Sequence, residues 1–74
     1  MAEIIVTDHA KYRLLEREID VHEAKKIAKN GEVTKSELGG TITKKGLCSN
    51  GKYLIVVITK KGKNLIIKTA YYGN

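Results

Sequence analysis

His9, Arg13 and Arg17 have both the types and the spacing for acid–base work on an anion, recurring at i, i+4 and i+8. On a helix advancing about 100° per residue, successive members step only about 40° around the axis, so the imidazole and the two guanidiniums form one slanting row. Arginine's planar fork matches a phosphate or carboxylate bidentately, and histidine takes or gives a proton near neutral pH. Of the 14 Lys and Arg, these are the only two arginines. The bland assignment is intrahelical pairing, since Arg17 has Glu16, Glu18 and Asp20 close by in sequence.

A second group closes the chain. Thr69 can donate to a phosphate oxygen, and Tyr71 and Tyr72 can stack on a base or hydrogen-bond a phosphate. Strand tyrosines more often pack against their neighbours, and adjacent ones face opposite sides. Charge favours a polyanion. Residues 1–37 hold all 8 acids beside seven bases, whereas residues 38–74 hold Lys44, Lys45, Lys52, Lys60, Lys61, Lys63 and Lys68 and no acid, which accounts for the net charge of +6. An acid-free stretch that is also apolar reads as a folded basic surface whose partners are polyanions or an acidic protein. Lysines that keep edge strands and hairpin tips soluble would look the same.

The elements that must position these groups are short. Glu3 to Thr7, with Ile4, Ile5 and Val6, reads as a strand or extended lead-in. Thr7 or Asp8 caps a helix running to about Glu18, with Ala10, Leu14 and Leu15 inward. Asp20 and Glu23 make a capping-box-like start to a second helix with Ala24, Ile27 and Ala28 buried, ended by Asn30-Gly31 through their tolerance of left-handed backbone. The period then changes to two. Val33–Glu37, Thr41–Cys48, Tyr53–Lys60 and Asn64–Tyr72 read as strands separated by Gly39-Gly40, Ser49-Asn50-Gly51 and Lys61-Gly62-Lys63. Leu54 to Ile58 is apolar on both faces and so central. In the last strand Leu65, Ile67, Thr69 and Tyr71 alternate against Ile66, Lys68, Ala70 and Tyr72. Connections this short exclude parallel crossovers. The expected fold class is α+β: two N-terminal helices packed on a four-stranded antiparallel meander, with the N-terminal segment as a further short strand.

Size sets the outer bounds. With 74 residues, 1–74 reads as a single domain, too small for Rossmann folds or barrels. No apolar run is long enough to span a membrane, and no secretory pattern opens the chain, so the expected localisation is cytoplasmic. Cys48 with His9 and His22 falls short of a zinc ligand set, so no metal and no cofactor are expected, and Cys48 reads as a small buried hydrophobe. His22 reads as a surface residue, and Tyr12 and Tyr53 as half-buried core. A core this small gives roughly 3–5 kcal/mol, which points to marginal stability or a homodimer.

The run Thr7-Asp8-His9-Ala10, Arg13, Glu16-Arg17 and Ile19, then Asn30-Gly31-Glu32, a Gly51-Lys52-Tyr53 strand start and a closing Ile67-Lys68-Thr69-Ala70-Tyr71, resembles a family of small uncharacterised bacterial and phage domains. Their helix carries H-A-x-x-R-x-x-x-R and their last strand T-x-Y, and Glu18 stands where many of them have Gly. In layout they are similar to the RelE and BrnT toxins and to the wider barnase, EndoU, colicin and RelE fold of metal-independent ribonucleases. The resemblance spans essentially the whole chain. It implies that His9, Arg13, Arg17, Thr69 and Tyr71 line one catalytic groove, and the charge distribution adds Lys44, Lys45, Lys52 and Lys68, with Tyr72, as the expected nucleic-acid-binding surface. The expectation is a toxin-like RNA-binding domain with metal-independent endoribonuclease chemistry open to it, and RNA and an acidic antitoxin protein as partners. In that chemistry an RNA 2′-hydroxyl attacks the adjacent phosphate while an acid and a base move protons and cations hold the charge. The alternative is a non-enzymatic accessory module of phage or mobile-element origin that binds nucleic acid or protein.

Overall fold

The computed structural model describes residues 3–73. In chain order the elements are β1 (Ile4–Val6), α1 (Asp8–Glu16), α2 (Val21–Asn30), β2 (Glu32–Ser36), β3 (Thr41–Leu47), β4 (Tyr53–Lys61) and β5 (Asn64–Gly73). They build an α+β fold in which two helices cover a five-stranded sheet of order β1-β5-β4-β3-β2.

The helices begin where side-chain oxygens stand in for missing backbone partners. Thr7 caps α1 by accepting from the Ala10 amide at 3.1 Å, and Asp20 caps α2 by accepting from the His22 amide at 2.8 Å. Along β4, Leu54, Val56 and Ile58 are fully buried while Tyr53, Ile55 and Val57 are not, so both helices lie on one face of the sheet. Leu14 of α1 and Ile67 of β5 complete the fully buried large side chains. Ala10, Ala24, Ala28 and Ala70 are buried too, and their small size brings the helices close to the strands.

The connection between β3 and β4 follows from Asn50-Gly51. Gly51 sits at φ +84, the Asn50 side chain accepts from the Lys52 amide at 3.0 Å, and Cys48 N–H bonds the Lys52 carbonyl at 2.9 Å. Asparagine's side-chain turn and glycine's freedom at positive φ make this the cheapest reversal available.

Several sequence expectations need correction. β1 joins the sheet in parallel, with Ile4, Ile5 and Val6 opposite Leu65, Ile66 and Ile67, so the sheet is mixed and not a pure meander. β2 to β5 form the expected antiparallel meander, and β1 can join in parallel because nearly the whole chain, not a short connection, links it to β5. In β5, Val57 pairs with Thr69 and Ile58 with Ile67, leaving Lys68 as an extra residue in a bulge. The bulge resets the alternation, and Ala70, not Thr69, follows Ile67 into the core. Gly31 does not adopt left-handed backbone: its φ is −69. It is required because a Cβ there would lie 2.5 Å from the Ile27 carbonyl oxygen. Leu15 is 78% exposed and Tyr12 62% exposed, so neither belongs to the core, and Tyr53 stands out at 46%. Cys48 is buried.

Candidate functional site at the α1 and β5 edge

β1 covers the outer edge of β5 only as far as Ile67. Beyond that point, among the described residues, the backbone of β5 lacks a neighbouring strand on that side, and α1 packs along it. Val6 is paired with Ile67 and Arg17 bonds Ala70, so α1 advances in the same sense as β5 and its polar row runs beside the uncovered stretch.

Arg17 joins the two elements. Its guanidinium donates to the Ala70 carbonyl at 2.8 Å and to Thr69 Oγ1 at 3.2 Å. Thr69 lies on the helix-free face of the sheet, the face opposite buried Ala70, so Arg17 reaches over the strand edge to make both bonds. The end of α1 explains how it can. Ile19 N–H bonds the Leu14 carbonyl at 2.8 Å and Glu18 N–H bonds the Leu15 carbonyl at 3.2 Å, the paired closure of a Schellman motif, with Glu18 at φ +55. Leu14 and Ile19 are both buried, which is the apolar contact that accompanies this motif. Arg17, the C-cap of α1, is thereby fixed on the last ordered turn.

The remaining members of the row are exposed or half-exposed. Arg13 bonds Glu16 at 3.3 Å one turn along, with about half of each side chain still in water (42% and 47% exposed), so the pair is worth little and opens readily. His9 is exposed in the first turn, and among the described residues no hydrogen bond engages its ring. Lys68 is exposed at the bulge, on the same stretch of β5 that α1 flanks. Arg17 alone meets Thr69 and Ala70, Arg13 and His9 follow one and two turns back along α1, and Lys68 stands at the adjoining bulge, residue types suited to phosphate contact and proton transfer.

Other candidates fall elsewhere. Tyr71 shares the helix-free face with Thr69 and stands opposite Ile55, 41% exposed. Tyr72 faces the helix side, packs against the core and accepts from Asn50 Nδ2 at 3.3 Å. Lys52 lies over the Tyr72 ring at 5.3 Å, and Lys45 over the Tyr53 ring at 4.5 Å. Lys44 donates to the Lys29 carbonyl at 3.4 Å, closing the end of α2, so its ammonium is occupied in part with structure. Tyr53 joins the lysines at this end of the sheet, an addition to the expected basic surface. Its place beside Lys52 at the start of a strand, with glycine just before, was the available signal. Among the described residues, no three His, Cys, Asp or Glu side chains cluster, and no helix is long and apolar enough to cross a membrane.

Compared with known families, residues 6–72 match the model described as Domain of unknown function (DUF4258). No curated protein and no solved structure matches the chain.

Proposed function

The chain belongs to the DUF4258 family, and from the edge between α1 and β5 we propose that it is a toxin-like RNA-binding domain, akin in layout to the RelE and BrnT toxins, with metal-independent RNA cleavage as its chemistry. The observation that carries this reading is the Arg17 guanidinium bonded to both Thr69 and Ala70. It ties one end of a row of His and Arg on a helix to the hydroxyl of a strand, so successive phosphates of a strand laid along the edge can meet the row in turn. Arg13 leaves Glu16 to clamp the phosphate, and Lys68 adds charge from the bulge. Thr69 donates to a phosphate oxygen, and Tyr71 offers a ring on the adjoining face for a base. His9, free of partners among the described residues, is the group that takes the proton from the 2′-hydroxyl or gives one to the leaving oxygen. The product is a cyclic phosphate end. The bond from the 2′-oxygen to phosphorus forms as the bond from phosphorus to the 5′-oxygen breaks, and the proton lost at the first oxygen is matched by one gained at the second, with His9 serving one of the two and water the other.

A second reading has its own support. Arg17 is already bonded to backbone and Arg13 to Glu16, and no carboxylate orients His9 among the bonds described. These favour a domain that binds nucleic acid without cutting it, an accessory module of a phage or mobile element.

Cleavage of labelled RNA in chelator separates the two. His9→Ala lowers cleavage roughly 10²–10⁴-fold and leaves RNA affinity nearly unchanged, the usual worth of a positioned proton donor or acceptor. Arg13→Ala weakens both. Equal cleavage by the His9 variant assigns the activity to a contaminant or another group, and binding without cleavage by either protein establishes the accessory module.

A further inference from the structure

At the C-terminal end of β5, just beyond Ala70, Gly51, Lys52, Tyr53, Tyr72 and Gly73 line a cleft of about 500 Å³. That is within the range of roughly 300–1,000 Å³ typical of small-molecule sites. Tyr53 pairs across the sheet with Gly73, which has no side chain of its own and over which Ile55 packs. Tyr72, on the opposite face, borders the cleft at the end of the sheet, its hydroxyl held by Asn50. Two ammonium groups lie at the aromatic walls, Lys52 at Tyr72 and Lys45 at Tyr53. Glu23, which touches the same turn, is engaged by the Ser49 amide. Tyrosine rings with ammonium groups beside them match a planar base carrying a phosphate.

We propose that this cleft is a nucleotide-binding subsite, in which the base lies against Tyr53 or Tyr72 and the phosphate meets Lys52. Taking its natural occupant as one nucleotide of single-stranded RNA rests on the function proposed above. Base stacking on tyrosine tolerates any base, so the subsite grips without reading sequence. Lys52 must then leave the face of Tyr72 for the phosphate, which its exposure permits.

The test is an amide-resolved NMR titration of the full chain with 5′-adenosine monophosphate, adenosine and ribose 5-phosphate, followed by a hexaribonucleotide. The monophosphate should move the amides of Gly51, Lys52, Tyr53 and Gly73 and bind more tightly than either fragment. Lys52→Ala should weaken the monophosphate at least about threefold and leave adenosine unchanged, while Tyr53→Ala weakens both. Unperturbed amides elsewhere in these variants confirm their fold. Monophosphate shifts located elsewhere, or none, overturn the subsite. A hexaribonucleotide that moves α1 and Lys68 but not the cleft overturns the subsite while keeping RNA binding. Monophosphate binding in the cleft without any response to RNA keeps the nucleotide site and removes RNA as its occupant.

Discussion

The Ile19 amide reaches back 2.8 Å to the Leu14 carbonyl, and this one bond sets where α1 stops and where Arg17 is presented. It requires the residue between Arg17 and Ile19 to adopt left-handed backbone, and that residue is Glu18 at φ +55. A side chain there costs about 1–2 kcal/mol against the left-handed conformation.

Glu18→Gly should therefore stabilise the fold by about 0.5–1 kcal/mol, the conformational relief being partly offset by glycine's greater freedom in the unfolded chain. For a chain of this size that raises the melting temperature by a few degrees, about 2–8 °C. A calorimetric scan showing an unchanged or lowered midpoint would contradict the cap geometry.

Adjacent leucines on α1 should behave in opposite ways. Leu14 is fully buried against the sheet, and Leu14→Ala should cost about 2–5 kcal/mol through lost contact and the cavity left behind. Leu15 is 78% exposed, and Leu15→Ala should change stability by less than about 0.5 kcal/mol. Urea unfolding of the two variants decides it, and comparable losses would mean that the helix is rolled differently.

Arg17 and Thr69 should be coupled in stability as well as in binding. Arg17→Ala removes two bonds at the strand edge and should cost about 1 kcal/mol, with Thr69→Val costing less. The double variant should fall short of the sum, because the bond between them is lost only once. Strict additivity in a denaturation cycle would show that the guanidinium does not rest on Thr69.

Cys48 makes stability depend on alkaline pH. Burial first, then the charges of Glu23 and Asp20, push its thiol above the ordinary value of 9.0, with Lys26 opposing. Below the unfolded value both states keep the proton. As pH rises through it, the unfolded chain releases its proton before the folded one does, and stability falls until the folded value is passed. Between about pH 8 and about pH 10, wild type should lose more stability than Cys48→Ala, and the native thiol should react slowly with thiol reagents. Parallel pH profiles for the two proteins would refute this.

RNA affinity should carry the signature of few phosphate contacts. With about 3–4 of them, the log–log slope against salt should be roughly −2 to −3. Lys68→Glu and Lys45→Glu should weaken binding more than Lys25→Glu, which lies on α2 away from the α1 and β5 edge. Equal losses from both sets, read by filter binding at several salt concentrations, would argue for nonspecific attraction to net charge.

Turn chemistry made much of this fold legible beforehand: Asn50-Gly51 announces its reversal, and Thr7 and Asp20 announce their helices. The His9, Arg13 and Arg17 row was legible because helical spacing alone puts it on one face. The bulge at Lys68 was not, since Ile66-Ile67-Lys68-Thr69 is as suitable for unbroken strand as for an interrupted one, and only cross-strand register reveals the extra residue. Leu14 and Leu15 differ by one helical step, and with Ala10 as the other anchor both fit an apolar stripe. Gly31 was read for its backbone freedom, whereas the approach of Ile27 is what demands it. The left-handed residue lay at Glu18 instead, where no small side chain marks it.

β1 finds its strand partner only in β5, and Leu65 N–H closes on the Glu3 carbonyl from nearly the full length of the chain away. During synthesis α1 emerges early, carrying its histidine and arginines, but Thr69 and Ala70 do not yet exist for Arg17 to grasp. Pairing so distant in sequence forms late and slowly. A product ending in β3 or β4 thus leaves Arg17 without Thr69 and Ala70, and the edge between α1 and β5 closes only once residues 64–73 have been translated and docked.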